Sequence, residues 1–147
     1  MGPLAETLDR FATRVLHRNR WGDGLYVVFD DVSAAAGCAL DLQITMASID
    51  LEALGLPSTL QMRVGAHAAP VFEAPDPIAG VQGYFGAHVT TAARIEPGTP
   101  EGDVYVTEPF AALCALEAPR GIECQYVGQL ATAKDHGRLP LYLLRRS

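Results

Sequence analysis

Arg63-Val64-Gly65-Ala66-His67-Ala68-Ala69-Pro70-Val71 reads as the end of a strand running into a turn built from small residues. Leu60, Met62 and Val64 alternate with Gln61 and Arg63, which predicts a strand over 60–64 with one buried face. Immediately upstream, Ala35, Cys38, Ala39, Leu42, Met46 and Ile49 recur at helical spacing and predict a helix from about Ser33 to Ala53. Asp30 and Asp31 stand where a carboxylate would cap its start, and Gly55 and Pro57 stand where a helix ends. Downstream, Pro70, Pro75 and Pro77 with Gly80 and Gly83 predict a loop over 70–83.

Further out, Leu4, Leu8, Phe11 and Val15 predict an amphipathic helix over 4–14. Val15–Arg20 and Leu25–Phe29 read as two strands joined by Trp21-Gly22-Asp23-Gly24, whose glycines accept the positive φ angles of a tight hairpin. A helix is expected from about Ala87 to Ile95, a strand at Val104 and Val106, and a helix from Thr107 to about Leu116. Cys124–Val127 and Leu139–Leu144 are the last two strands. Helices thus alternate with strands on a mixed sheet. The fold class is α+β, of the split βαβ or ferredoxin-like kind. No repeat or second boundary appears, so residues 1–147 are expected to form one domain.

Composition narrows the function classes. The chain has 147 residues, 49% of them hydrophobic and 19% charged, which is globular composition. Its formal net charge of −6 argues against a surface built to neutralise nucleic-acid phosphates. The three cysteines, Cys38, Cys114 and Cys124, form no Cys-x-x-Cys pair and read as buried thiols of a reducing compartment. No apolar run is long enough to cross a bilayer, and residues 1–6 lack the pattern of a signal peptide. A cytoplasmic location is expected.

Three positions carry chemistry. Asp23, at a hairpin tip, is a hard oxygen donor suited to Mg²⁺, although Asp-Gly is also a favoured turn pair in its own right. Arg94, in Val89-Thr90-Thr91-Ala92-Ala93-Arg94, offers the fixed fork of donors that suits a phosphate in transition, although an arginine near a helix end is also favoured by the helix dipole. Lys134, in Ala133-Lys134-Asp135-His136-Gly137-Arg138, is either a phosphate ligand or an exposed loop lysine, with His136 and Arg138 as alternates. His17, His67, His88 and His136 show no metal-binding spacing, and no Gly-x-x-x-x-Gly-Lys phosphate loop exists.

In this order, the Trp21–Gly24 hairpin, the Arg63–Val71 strand and the Tyr84–Arg94 segment resemble the catalytic domain of the class III adenylate and guanylate cyclases. Arg63–Val71 is similar to the family's Arg-Ile-Gly-Ile-His-Thr-Gly-Pro-Val, with Ala69 at the second glycine and His67 as a hydrogen-bonded packing residue. Asn19-Arg20-Trp21-Gly22-Asp23 resembles its Lys-x-x-Gly-Asp hairpin, which implies that Asp23 is a metal ligand for Mg²⁺ or Mn²⁺. Val89–Arg94 resembles Val-Asn-x-Ala-Ala-Arg. That implies transition-state stabilisation by Arg94 and by Thr90, which replaces the asparagine. The positions that read the base fall on Asn19 and Gly83, neither of which keeps the adenine pattern of donor and acceptor, so the base stays open. Lys134 falls where the family holds triphosphate.

The resemblance also implies a fold that lacks the family's first central strand and, with it, the first metal-binding aspartate. The domain would then be partial. It implies a substrate, a nucleoside triphosphate, and a head-to-tail homodimer or a larger signalling chain that completes the site. Two readings follow: a cyclase releasing a 3′,5′-cyclic nucleotide and pyrophosphate, weak or inactive as this chain alone, or a non-catalytic dimerisation or nucleotide-binding module. An unrelated α+β interaction domain is the third.

Overall fold

Asp31 sets the first long helix. Its backbone is extended, and its side chain accepts a hydrogen bond from the Ala34 amide at 3.0 Å. Helix α2, Val32–Ser48, follows from that cap. The computed structural model describes residues 3–21, 24–68, 72–75, 82–85, 92, 94–117, 120–131 and 137–147. Around α2 stand α1 (Pro3–Asp9), the hairpin strands β1 (Val15–Trp21) and β2 (Gly24–Phe29), and β3 (Val64–Ala66). A second hairpin, β4 (Phe72–Pro75) and β5 (Gln82–Phe85), precedes β6 (Val104–Thr107), α3 (Glu108–Glu117), β7 (Ile122–Ala131) and β8 (Arg138–Arg146).

Strands β3, β6, β8 and β7 form one sheet in that order. β3 lies parallel to β6, with Gly65 opposite Tyr105, while β6–β8 and β7–β8 are antiparallel. This is the mixed sheet of an α+β fold. Hairpins β1–β2 and β4–β5 are two further antiparallel pairs. Among the described residues no strand pairs with the free side of β2 or of β3.

Alternation along β6 sorts the two faces. Val104 and Val106 point to a core built with Val32, Ala36 and Leu40 of α2, Phe110 and Cys114 of α3, and Leu144. Tyr105 points the other way, against Ile95 and Leu141. Both faces are covered, so all four residues of β6 are buried. Ser33 ties the two helices of the first face together, its amide and Oγ both donating to Glu117 Oε2 at 3.3 and 2.7 Å.

Several boundaries differ from the sequence expectation for local reasons. The N-terminal helix stops at Asp9, and Ala12–Arg14 form a separate 3-10 turn. Helix α2 ends at Ser48, whose Oγ donates to the Thr45 carbonyl; Asp50 then caps a separate 3-10 turn, Glu52–Leu54, through the Ala53 amide. Gly55, with φ of 75°, closes that turn rather than the long helix. The strand expected over 60–64 begins only at Val64: Leu60 donates back to Pro57 in a turn, and the Met62 carbonyl accepts both the Gly102 amide and the Gln43 side-chain amide. The proline-rich stretch read as a loop holds the β4–β5 hairpin, with Pro75 at the end of its strand.

Candidate functional site

Arg94 sits in a helical turn whose neighbours fix it. Ile95, 1% exposed, is sunk into the core with Tyr105 and Leu141. Thr99 closes the turn: its amide donates to the Glu96 carbonyl and its Oγ1 to the Ile95 carbonyl, both at 2.9 Å. Arg63, at the foot of β3, reaches the same turn. Its Nε lies 3.4 Å from Glu96 Oε1, and a terminal nitrogen donates to the Pro97 carbonyl at 3.4 Å.

Gly65 makes this seating possible. A Cβ added there would lie 2.8 Å from Ile95 Cγ1, 2.9 Å from the Ala92 carbonyl oxygen and 3.0 Å from the Glu96 amide nitrogen. Two of those three atoms are backbone and have no rotamer to escape by. Sequence reasoning had marked neither Gly65 nor Arg63 as positioning residues. The available signal was a glycine inside a strand, which often marks a close backbone approach.

The hairpin places the remaining candidates at backbone level. Asn19 pairs with Tyr26, and Trp21 with Gly24, so the strands are closed at the residues flanking Gly22 and Asp23. Gly83 pairs with Ala74 in the second hairpin. Ala131 pairs with Arg138 at the base of the connection that contains Lys134. Asp23, Thr90, Lys134 and the alternate His136 lie outside the described residues. Arg94, Asn19 and Gly83 are carried by three different elements.

His67 takes the packing role expected for it: its Nδ1 lies 2.6 Å from the hydroxyl of Thr107, tying the turn after β3 to the end of β6. Among the described residues no group of three or more His, Cys, Asp or Glu side chains gathers, so these residues by themselves build no metal centre.

The thiols are not nucleophiles at neutral pH. Burial pushes Cys38 up to about 11, with the Asp41 charge adding to it and Arg10 opposing. Burial likewise pushes Cys114 up to about 12, helped by its neighbour Cys124 and by Glu117. Burial also raises Cys124, against the hydrogen bond from Cys114. The folded state therefore holds these protons more tightly than the unfolded chain. Their contribution to stability is complete below the ordinary value of 9.0 and is lost as pH rises toward about 12. Urea midpoints measured from pH 7 to 11 should fall above about pH 9, and a Cys38→Ala/Cys114→Ala variant should show a shallower fall. Equal slopes would contradict this.

The family model described as Adenylate and Guanylate cyclase catalytic domain matches residues 10–145. No curated protein matches the sequence. Solved structures match in fold. A Trypanosoma brucei adenylate cyclase in its monomeric state superposes with a TM-score of 0.77 at 18% identity, covering 96% of this chain and 74% of that one. The guanylate cyclase domain from Catenaria anguillulae in complex with GTP gives 0.67 at 18%, covering 97% and 78%. An adenylyl cyclase from P. aeruginosa gives 0.63 at 16%, covering 98% and 81%. At these identities the structural likeness establishes the fold. No helix among the described residues is long and apolar enough to cross a membrane.

Proposed function

Since the chain belongs to the adenylate and guanylate cyclase catalytic domain family, its sequence matching that family's model over residues 10–145, we propose that it cyclises a nucleoside triphosphate in cyclic-nucleotide signalling. The 3′ hydroxyl oxygen bonds to the α-phosphorus, the bond from that phosphorus to the β-phosphate oxygen breaks, and pyrophosphate leaves. The hydroxyl proton passes to solvent. The products are a 3′,5′-cyclic monophosphate and pyrophosphate.

The observation that carries this reading is the seating of Arg94. Its turn is held from below by Ile95, from the side by Arg63, and without clearance by Gly65. A guanidinium delivered from so fixed a turn would meet the charge that grows on the phosphate oxygens, which is where electrostatic catalysis gains most. Thr90 adds a hydroxyl donor with a shorter reach than an amide. Lys134 neutralises the triphosphate tail, and Asn19 and Gly83 line the base. Asp23 would hold Mg²⁺ or Mn²⁺, and a bound ion would withdraw charge from the reacting phosphate. Asp23 and Arg94 act on one nucleotide from opposite protomers of a head-to-tail dimer.

A second reading is supported by a specific observation: Thr90 and Asn19 stand where the family has an asparagine and a lysine. On that reading the domain dimerises and binds nucleotide without turnover, within a larger signalling protein. Incubation of the chain with each of the four ribonucleoside triphosphates and Mn²⁺ or Mg²⁺, followed by mass spectrometry, separates the two. Cyclic product supports the enzyme. Saturable nucleotide binding without product supports the module.

A further inference from the structure

Two of the three thiols meet. Cys114 stands on the inner side of α3, and Cys124 lies near the start of β7. Both face the same core, Cys114 as a member and Cys124 packed against it. There a hydrogen bond joins their side chains. Cys38 is set apart in α2, 1% exposed, with Asp41 and Arg10 as its charged neighbours.

The paired thiols differ in access. Cys114 is 6% exposed. Cys124 is half-buried, on the strand that ends its sheet. One flank of β7 is taken by β8, where Leu144 stands opposite Cys124. Among the described residues no strand pairs with the other flank. A small reagent in solvent therefore reaches Cys124 first and finds Cys114 in contact behind it.

We propose that Cys124 and Cys114 form a thiol-modification site for a small disulfide oxidant such as glutathione disulfide, Cys124 taking the first bond and Cys114 resolving it into an intramolecular disulfide. Cys124 gives its proton to solvent, and its sulfur attacks one sulfur of the oxidant. A mixed disulfide forms, the oxidant's own S–S bond breaks, and one glutathione leaves and takes up a proton. Cys114 then loses its proton and attacks Cys124 Sγ, which breaks the mixed disulfide and releases the second glutathione. The protein gives up two electrons and two protons, and the oxidant is reduced to two thiols.

Burial keeps Cys124 protonated at neutral pH, so the first step is slow there and quickens as pH rises. Burial, Cys124 and the Glu117 charge act on Cys114 in the same sense. In the second step the attacking sulfur already touches its target, which offsets the retained proton. The bridge ties α3 to β7 and removes freedom from the unfolded chain. The site stands whether or not the chain turns over nucleotide.

The test incubates the full chain with glutathione disulfide at about pH 8.5, near the ordinary cysteine value, and maps the peptides by mass spectrometry. The wild-type chain should lose two hydrogens in mass and yield a cross-linked Cys114–Cys124 peptide, with Cys38 left as a thiol. Cys114→Ala should stop at a mixed disulfide, carrying one glutathione on Cys124. Cys124→Ala, at the half-buried position and with less risk to folding, should leave Cys114 reacting at least about tenfold more slowly than Cys124 does in the wild-type chain. The urea midpoint of the bridged chain should lie above that of the reduced chain and return with dithiothreitol. A glutathione that stays on Cys124 in the wild-type chain, or no reaction at Cys124, would overturn the proposal. A bridge to Cys38 or a disulfide-linked dimer would overturn it too.

Discussion

Arg94→Ala is expected to reduce cyclic-nucleotide formation by roughly 10²- to 10³-fold, the loss found when one preorganised donor to a developing oxyanion is removed. The side chain is half-buried at the edge of its turn, while Ile95 rather than Arg94 fills the core beneath. Folding should therefore change little, with the urea midpoint shifting by less than about 0.5 kcal/mol in equivalent stability. Arg94→Lys keeps the charge but loses the planar fork, so it should fall between wild type and alanine. An unchanged rate in Arg94→Ala would remove this residue from the chemistry.

Gly65→Val carries the second large effect, and it acts on stability first. Even a methyl group at this position meets Ile95 Cγ1 at 2.8 Å and the Ala92 carbonyl oxygen at 2.9 Å. The isoleucine is packed against Tyr105 and Leu141, and the carbonyl belongs to the backbone, so relief requires the whole Arg94 turn to lift off β3. Overpacking of this kind costs typically 1–3 kcal/mol, and for a branched side chain a value at or above roughly 3 kcal/mol is expected. Urea denaturation measures it. Whatever fraction stays folded should also lose turnover, because Arg94 moves with the turn. A Gly65→Val chain of wild-type stability would mean that the turn adapts without cost.

The comparison of sequence with structure separates local signals from non-local ones. Asp31 as a cap, the hairpin around Gly22 and Gly24, and the central place of Val104 and Val106 were legible because each rests on neighbouring residues or on a short period. The family and the α+β class were legible for the same reason, since three ordered motifs sit on local turns. The end of α2 was not. The apolar stripe continues through Ile49, and only the bonds made by Ser48 and Asp50 show why the helix stops. The start of β3 was displaced because Leu60 is held in a turn by the Pro57 carbonyl, a bond that the alternating pattern does not show. Prolines hid the β4–β5 hairpin, since a proline at a strand end looks the same in sequence as one in a loop. Within the candidate site, Arg94 was named from its motif. What holds it, Gly65 and Arg63, depends on a contact between segments some 30 residues apart and left no periodic trace. The roles of Asp23, Thr90 and Lys134 rest on the motifs alone.

Mixing two inactive variants tests the account most directly. Asp23→Ala and Arg94→Ala each damage a different half of the proposed site, so neither chain should produce cyclic nucleotide alone. In an equimolar mixture, half the head-to-tail dimers are mixed and each carries one intact site of two, which predicts recovery of about one quarter of wild-type turnover. That recovery would establish that Asp23 and Arg94 meet on one nucleotide from opposite protomers. Turnover by the wild-type chain with no recovery in the mixture would contradict the shared site, and no product from the wild-type chain would contradict the cyclase itself.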